Sequence, residues 1–338
     1  MRILVTGGAG YIGSHTCVVL LEKGYDVVIV DNLSNSKLEA VRRIEKITGK
    51  TVKFYEEDCC DKEALRKIFT ENQIDAVIHF AGLKAVGESV SVPLKYYENN
   101  LISTLSLVSV MKEFGCNNII FSSSATVYGT APAPYTEETT LTLSTTNPYG
   151  TTKLFIERIL TDYCFAEKNF NAILLRYFNP VGAHESGLIG EDPNGIPNNL
   201  VPYITQTAVG KRERINVFGD DYNTPDGTGV RDYIHVMDLA EGHVASLKKF
   251  EENCGLKIYN LGTGNGYSVL EMIHGFERAI GHPLPYVIAP RRPGDLDISY
   301  AVTDKAYNEL GWKAVKTLDD MCVDSMRWQN MNPNGYEE

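Results

Sequence analysis

The sequence predicts an α/β protein built on a doubly wound parallel sheet, with a smaller interleaved α/β substrate domain in its second half. Three observations predict it. Short Val- and Ile-rich runs alternate with helix-like segments through the first half, and a glycine-rich turn follows the first run directly. The alternation stops near residue 178, where Gly, Pro and Asn crowd into 179–199 and again into 219–229. Strands buried on both faces of a parallel sheet read as continuous apolar runs, and strands alternating with helices read as βαβ units.

Taken in order, the strand-like runs are 3–5, 27–30, 52–55, 76–80, 118–122 and 172–176, with helices predicted over 12–23, 62–71, 99–114 and 150–167. The Gly- and Pro-rich stretches read as functional loops. The expected division is a nucleotide-binding domain over 1–178 and a substrate domain over 179–338, with some segments of the second returning to the first sheet. At about 150 residues per domain, a chain of this length holds two domains or one large one.

Composition bounds the function. With 43% hydrophobic and 22% charged residues the chain is an ordinary globular one, and a formal net charge of -11 argues against a nucleic-acid or acidic-membrane partner. A phosphorylated ligand would need local cations that override this field. The 7 cysteines, among them the adjacent Cys59 and Cys60, show no metal-ligand spacing and no disulfide framework. Reduced thiols in the cytoplasm are the simplest account. Met1-Arg2 runs straight into the first strand without a signal-like segment, and no run approaches the roughly 18 apolar residues of a membrane span.

Residues 6–13 read Thr6-Gly7-Gly8-Ala9-Gly10-Tyr11-Ile12-Gly13, a turn with glycine at every third position between strand and helix. Glycines let a backbone turn tightly and let a pyrophosphate approach unpaired N–H groups at a helix N-terminus, which makes this a Rossmann dinucleotide site. The second strand ends at Asp31, about 20 residues on, where a carboxylate accepts from an adenosine ribose and repels a 2′-phosphate. NAD is therefore favoured over NADP. Asp58, ending the third strand, reads equally well as an adenine contact or as a loop cap.

Tyr149-Gly150-Thr151-Thr152-Lys153 opens a helix, and the i,i+4 spacing sets Tyr149 and Lys153 on one face. A free phenol titrates near about 10, so a neighbouring ammonium, joined by the positive charge of oxidised nicotinamide, is expected to favour the phenolate and let Tyr149 take a proton from a substrate hydroxyl. Ser122-Ser123-Ser124 lies at the carboxyl end of the preceding strand, where open α/β sheets bind ligands, and Ser124 is the candidate to hydrogen-bond the reacting oxygen.

The glycine turn with Ser124, Tyr149 and Lys153 resembles the extended short-chain dehydrogenase/reductases. More specifically, 79–89 (HFAGLKAVGES), 122–129 (SSSATVYG), 176–183 (RYFNPVGA), 226–236 (DGTGVRDYIHV) and 291–295 (RRPGD) resemble the UDP-glucose (UDP-galactose) 4-epimerases across nearly the whole chain. The resemblance implies reversible epimerisation at C4 of a UDP-hexose: hydride leaves C4 for NAD, Tyr149 takes the 4-OH proton, and the 4-keto sugar turns before hydride returns to its opposite face. It implies an NAD shell of Gly7, Gly10, Tyr11, Ile12, Gly13, Asp31, Asn32, Asn35, Ser36, Asp58, Cys59, Phe80, Ala81, Gly82, Lys84, Asn99, Ser122, Ser124, Tyr149, Lys153, Tyr177 and Phe178. It places the sugar nucleotide against Ser124, Tyr149, Asn179, Asn199, Leu200, Asn216, Phe218, Arg231, Tyr233, Arg292, Asp295 and Ser299, with no metal. Arg231 and Arg292 would supply the local cations, or else pair with Asp232 and Asp295. The small Ser299 would admit an N-acetylated sugar where a bulkier residue would not, unless Tyr300 closes the pocket. A homodimer through helices near 99–114 and 150–167 is also implied.

Two further enzymes share this machinery. A sugar-nucleotide 4,6-dehydratase needs an acid/base carboxylate beside the serine, whereas Ser124 is followed by Ala125 and Thr126. A net NAD-dependent dehydrogenase would release reduced cofactor at each turnover. A non-enzymatic dinucleotide sensor could dispense with Ser124, Tyr149 and Lys153, and this chain keeps all three.

Overall fold

The structure, a computed structural model, describes every residue except Ile196, Asn198, Pro293 and Glu338; Pro293 of the 291–295 motif thus lies outside the described residues. The first half winds as β1 (Arg2–Thr6), α1 (Tyr11–Glu22), β2 (Asp26–Val30), α2 (Leu38–Thr48), β3 (Lys53–Tyr55), α3 (Lys62–Glu71), β4 (Ala76–His79), α4 (Val86–Ser91), α5 (Pro93–Glu113), β5 (Asn118–Ser124), α6 (Pro148–Ala166) and β6 (Asn171–Tyr177). The second half continues with β7 (Asn179–Val181), α7 (Leu200–Ala208), β8 (Ile215–Phe218), β9 (Val230–Arg231), β10 (Tyr233–His235) and α8 (Val236–Ser246). It closes with β11 (Leu256–Leu261), β12 (Tyr267–Ser268), α9 (Val269–Ile280), β13 (Tyr286–Ala289), β14 (Ile298–Ser299), α10 (Asp304–Leu310) and α11 (Leu318–Met331).

Seven parallel strands form the main sheet in the order β11-β6-β5-β4-β1-β2-β3. The order reverses between β1 and β4, the crevice where doubly wound sheets bind nucleotides. Alternate strand residues feed two cores, as the two-residue period of a strand requires. Ile3, Val5, Ile29, Ile78, Ile120 and Ile173 pack toward α1, α2 and α8, while Leu4, Val28, Val77, Ile119, Phe121 and Leu174 pack toward α3, α5 and α6. Each such side chain contributes about 1.5–3 kcal/mol when fully buried. β11 brings second-half sequence back to the sheet beside β6, and α8 lies along α1. A third core, including Val181, Ile204, Val217, Tyr233, Ile273, Phe276 and Met326, belongs to the second half.

Helix starts differ from the sequence expectation. The helix expected from 99 begins at Pro93, and the one expected from 150 begins at Pro148. Proline at the first helical position has a suitable φ and no N–H to leave unpaired, so both residues signal starts that the apolar spacing alone does not. Asn147 caps the second, its Oδ1 accepting from the Gly150 N–H at 2.8 Å. Helix α2, which the sequence reading does not single out, buries Ala40, Val41 and Ile44 and ends at a left-handed Gly49.

Candidate active site

The first turn shows why glycine is needed there. Gly7 has φ +69°, and a Cβ on it would lie 2.8 Å from the Ala81 nitrogen. A Cβ on Gly13 would lie 2.3 Å from the Gly7 carbonyl oxygen and 2.8 Å from the Gly8 Cα, so α1 can sit on the turn only without one. No side chain caps α1 at Gly10, which leaves its first N–H groups facing the crevice as an anion site. The Tyr11 hydroxyl points away from a ligand role here, donating to the Gly182 carbonyl at 2.7 Å.

Asp31 ends β2 beside that turn. Its Oδ2 accepts from the Ala9 N–H at 3.1 Å, and its Oδ1 accepts from the Leu33 N–H at 3.0 Å and the Ser36 hydroxyl at 2.7 Å. These bonds hold Leu33 in a left-handed conformation at φ +55°. Asn32 donates to Asp58 Oδ2 at 3.1 Å, and Asp58 Oδ1 accepts from the Cys60 N–H at 2.7 Å, so Asp58 caps its own turn while joining the Asp31 patch. Cys59 is buried, and burial pushes its thiol up. Asn35 accepts from Asn194 at 3.4 Å. The donor set and the glycine cradle fit a dinucleotide with a free ribose 2′-hydroxyl.

The strand end after β4 completes one wall. The Ala81 N–H donates to Thr6 Oγ1 at 3.2 Å, and Gly82 lies so close to Asn100 that a Cβ would meet its Oδ1 at 3.2 Å. Phe80, next to Ala81, packs its ring 4.8 Å from His243. Asn100, which the sequence reading passes over for Asn99, is the organiser. Its amide bonds both main-chain groups of Leu83 and the Thr152 hydroxyl, and Asn99 only donates to it. Lys84 reaches Glu191 at 3.4 Å, and Asn199 donates to the same Glu191 oxygen at 2.8 Å, joining a cofactor candidate to a substrate candidate. Leu200 follows as the first residue of α7.

Ser124, Tyr149 and Lys153 converge where β5 and α6 meet. The buried Lys153 ammonium donates to the Ser122 carbonyl at 2.7 Å and lies 4.7 Å from the Phe121 ring centroid and 5.8 Å from that of Tyr149. Burial lowers Lys153 to about 7, opposed by Glu157 one turn along the helix. Burial also raises the Tyr149 phenol, and the group that pulls it back is the Ser124 hydroxyl. The sequence expectation gives that role to the Lys153 ammonium together with the charge of the oxidised nicotinamide; here Lys153 donates to the Ser122 carbonyl while staying 5.8 Å from the Tyr149 ring centroid. Behind them, Glu157 holds Arg176 through two contacts of 2.9 and 2.7 Å, clamping α6 onto β6. Tyr177 hydrogen-bonds the Ser122 hydroxyl, and Phe178 stacks on Tyr135 at 6.1 Å.

Two short parallel pairings assemble the substrate candidates. In β7 and β10 Asn179 is the register partner of Tyr233; in β9 and β14 Arg231 is the partner of Ser299. Burial raises Tyr233 to about 12, with Arg231 and Arg292 opposing. Arg292 holds Asp295 through Nε at 2.8 Å and Nη2 at 3.3 Å, lies 5.0 Å over the Phe218 ring, and Arg231 reaches the same carboxylate at 3.7 Å. Asp232 does not pair with Arg231: it is fully buried, accepting from Thr263, Gly264 and Ala301. Asn216 and Phe218 share the exposed side of β8. Among the described residues no cluster suited to a metal ion is present, and no helix is long and apolar enough to cross a membrane.

A family model described as GDP-mannose 4,6 dehydratase matches residues 4–325. The chain is 60% identical over 338 residues to the UDP-glucose 4-epimerase of Bacillus subtilis (strain 168), covering 100% of this chain and 99% of the relative. It is similar to the crystal structure of UDP-glucose 4-epimerase from Bifidobacterium longum in complex with NAD+ and UDP, at a TM-score of 0.96 and 60% identity, over 99% of this chain and 100% of that one. The UDP-Glc/GlcNAc 4-epimerase of Campylobacter jejuni aligns with a TM-score of 0.84 at 36% identity, over 98% of this chain and 99% of that one.

Proposed function

The chain belongs to the UDP-glucose 4-epimerase family, and on that premise we propose that it reversibly epimerises C4 of a UDP-hexose, interconverting UDP-galactose and UDP-glucose through a 4-keto sugar. The observation that carries this reading is the convergence of Ser124, Tyr149 and Lys153 at one strand end, with Arg231 and Arg292 gathered on Asp295. Bound NAD supplies the acceptor and donor of the C4 hydride. Tyr149 takes the 4-hydroxyl proton as hydride leaves and returns it to O4 as hydride comes back, and Ser124 donates a hydrogen bond to the reacting oxygen. Lys153 orients the cofactor ribose. Arg231 and Arg292 hold the diphosphate by charge-assisted bonds, so the keto sugar can turn about that anchor and present its other face.

Dehydration is disfavoured because Ala125 and Thr126 supply no carboxylate beside Ser124. Acceptance of N-acetylated UDP-hexoses is part of the proposal: Ser299 is a small residue beside Arg231, and the Campylobacter jejuni neighbour is a UDP-Glc/GlcNAc 4-epimerase. We assign residues 1–178 to cofactor and 179–338 to substrate, with segments of the second half such as β11 returning to the main sheet. A homodimer formed by α5 and α6 is supported by exposed Leu94, Ile102, Leu105 and Phe155 on those helices, and a cytoplasmic location by free cysteines. The test is incubation of purified protein with UDP-galactose and no added NAD. UDP-glucose should form; stoichiometric reduced cofactor without UDP-glucose would mark a net dehydrogenase, and a 4-keto-6-deoxy product a dehydratase.

A further inference from the structure

The Ser124 hydroxyl has two acceptor lone pairs and one proton. Both acceptor positions are used by a single residue: the Thr126 N–H donates to Ser124 Oγ at 3.2 Å, and the Thr126 hydroxyl donates to it at 3.0 Å. The hydrogen-bonding capacity left to Ser124 is its proton. Nor can the Thr126 side chain turn away freely. It is wedged against the first turn of α6, where a Cβ on Gly150 would lie 3.1 Å from Thr126 Cβ and 3.2 Å from its Oγ1. Gly150 directly follows Tyr149, so one threonine touches both the serine loop and the tyrosine helix.

We propose that Thr126 is a positioning residue for the epimerisation: by occupying both acceptor sites of Ser124 it aims the serine proton between the Tyr149 oxygen and the substrate O4, which receive it as a bifurcated hydrogen bond. The proposal rests on the epimerase reading. Without the Thr126 hydroxyl, Ser124 can rotate and accept a proton instead of donating one, and the phenolate loses its hydrogen-bond donor. The Thr126 N–H survives any side-chain change, so the loss is partial. The opposing effects on Tyr149, burial upward and Ser124 downward, give this change a titration signature.

The experiment compares wild type, Thr126→Val and Thr126→Ser as holoenzymes on UDP-galactose. Wild-type turnover tests the epimerase reading; the ratio of variant to wild type tests this proposal. Thr126→Val should lower kcat about tenfold, the effect of one hydrogen bond. KM and bound NAD should stay within twofold, and the acidic limb of the kcat profile should move to higher pH. Thr126→Ser should restore both rate and limb. In a Ser124→Ala background, Thr126→Val should add no further loss, because it acts through Ser124. If Thr126→Val yields no soluble holoenzyme, Thr126→Ala removes the same hydroxyl. A wild-type rate in the valine variant, a fallen rate with an unmoved limb, failure of serine to rescue, or an additive double mutant each overturns the proposal.

Discussion

Lys153 Nζ donates to the Ser122 carbonyl oxygen at 2.7 Å, fastening helix α6 to the end of strand β5 beneath the Tyr149 ring. Both Ser122 and Lys153 are buried, and Phe121 packs under the ammonium. The lysine thus does structural and electrostatic work at one point. It fixes the distance between the strand that carries Ser124 and the helix that carries Tyr149.

The two helix residues should therefore fail differently. Tyr149→Phe removes the proton acceptor and keeps the ring, so kcat should fall by the ~10²–10⁴-fold typical of a general acid–base group while bound NAD stays near wild type. Lys153→Met should reduce both bound NAD and kcat. Released cofactor measured after denaturation, beside turnover, separates them. Near-normal turnover in Tyr149→Phe would remove that residue from the chemistry.

Acid stability follows from three buried histidines. Burial lowers His15 and His79 to about 3 and His243 to about 4, from an ordinary 6.5. Each folded value lies below the unfolded one, so between pH 4 and 6.5 the unfolded chain binds more protons and stability falls as pH falls. Three such groups contribute a slope of up to about 4 kcal/mol per pH unit. His79 sits between the Thr6 and Thr104 hydroxyls at 2.7 and 3.0 Å, and His79→Gln should flatten the slope by about 1.4 kcal/mol per unit. Denaturant stability at several pH values reads it; an unchanged slope would show that His79 is charged in the fold.

What the sequence makes legible is what lies close together along it. The glycine turn, Asp31 after the second strand and the Tyr149/Lys153 pair are local patterns whose chemistry follows from spacing. Glu191 is not legible: it joins Lys84 and Asn199 across a stretch of sequence with no periodicity. Asn100 and the Glu157–Arg176 clamp are hidden for the same reason, since a buried polar residue inside a helix or strand reads as a break in pattern until its partner is known. The register partners Arg231 and Ser299 become neighbours only through a two-residue strand, too short for any sequence signal.

Adjacent arginines provide a sharper check of the substrate side. Arg291 is occupied by Asp221 at 2.6 Å and lies 3.9 Å over the Tyr222 ring, whereas Arg292 joins Arg231 on Asp295. Arg292→Ala should raise KM for UDP-galactose roughly 10- to 100-fold, the range of a charged hydrogen bond, with little change in kcat. Arg291→Ala should raise it less than about threefold, as expected for an exposed ion pair. The reverse order in steady-state kinetics would reassign the anchor.

Glycine positions give a cofactor test independent of chemistry. Gly13→Ala forces a Cβ to within 2.3 Å of the Gly7 carbonyl, a main-chain atom that cannot swing aside. The variant should lose bound NAD and about 1–3 kcal/mol of stability. Gly87→Ala, in helix α4 with nothing within 4 Å, should keep its NAD and gain up to about 1 kcal/mol. Equal NAD content in the two variants would deny the turn its role.

The proposal that N-acetylated sugars are accepted rests on Ser299. The residue lies in β14 beside Arg231, and its hydroxyl draws the Tyr135 phenol down against the burial that raises it. Tyr135 stacks on Tyr128 at 4.6 Å and on Phe178 at 6.1 Å, so the wall behind Ser299 is rigid and aromatic. The neighbouring Tyr300 is tied by its main chain, its carbonyl accepting from the Tyr135 N–H at 3.1 Å. On the proposed reading, the small serine side chain on that wall admits an acetamido group and a tyrosine in its place excludes it. Wild type should turn over UDP-N-acetylglucosamine as well as UDP-glucose. Ser299→Tyr should abolish the first and spare the second, read as kcat/KM for both substrates on both proteins. Wild type inert toward the acetylated sugar would mean that Tyr300 already closes the pocket, and equal loss on both substrates would mean that the tyrosine disturbs Arg231 rather than the sugar wall.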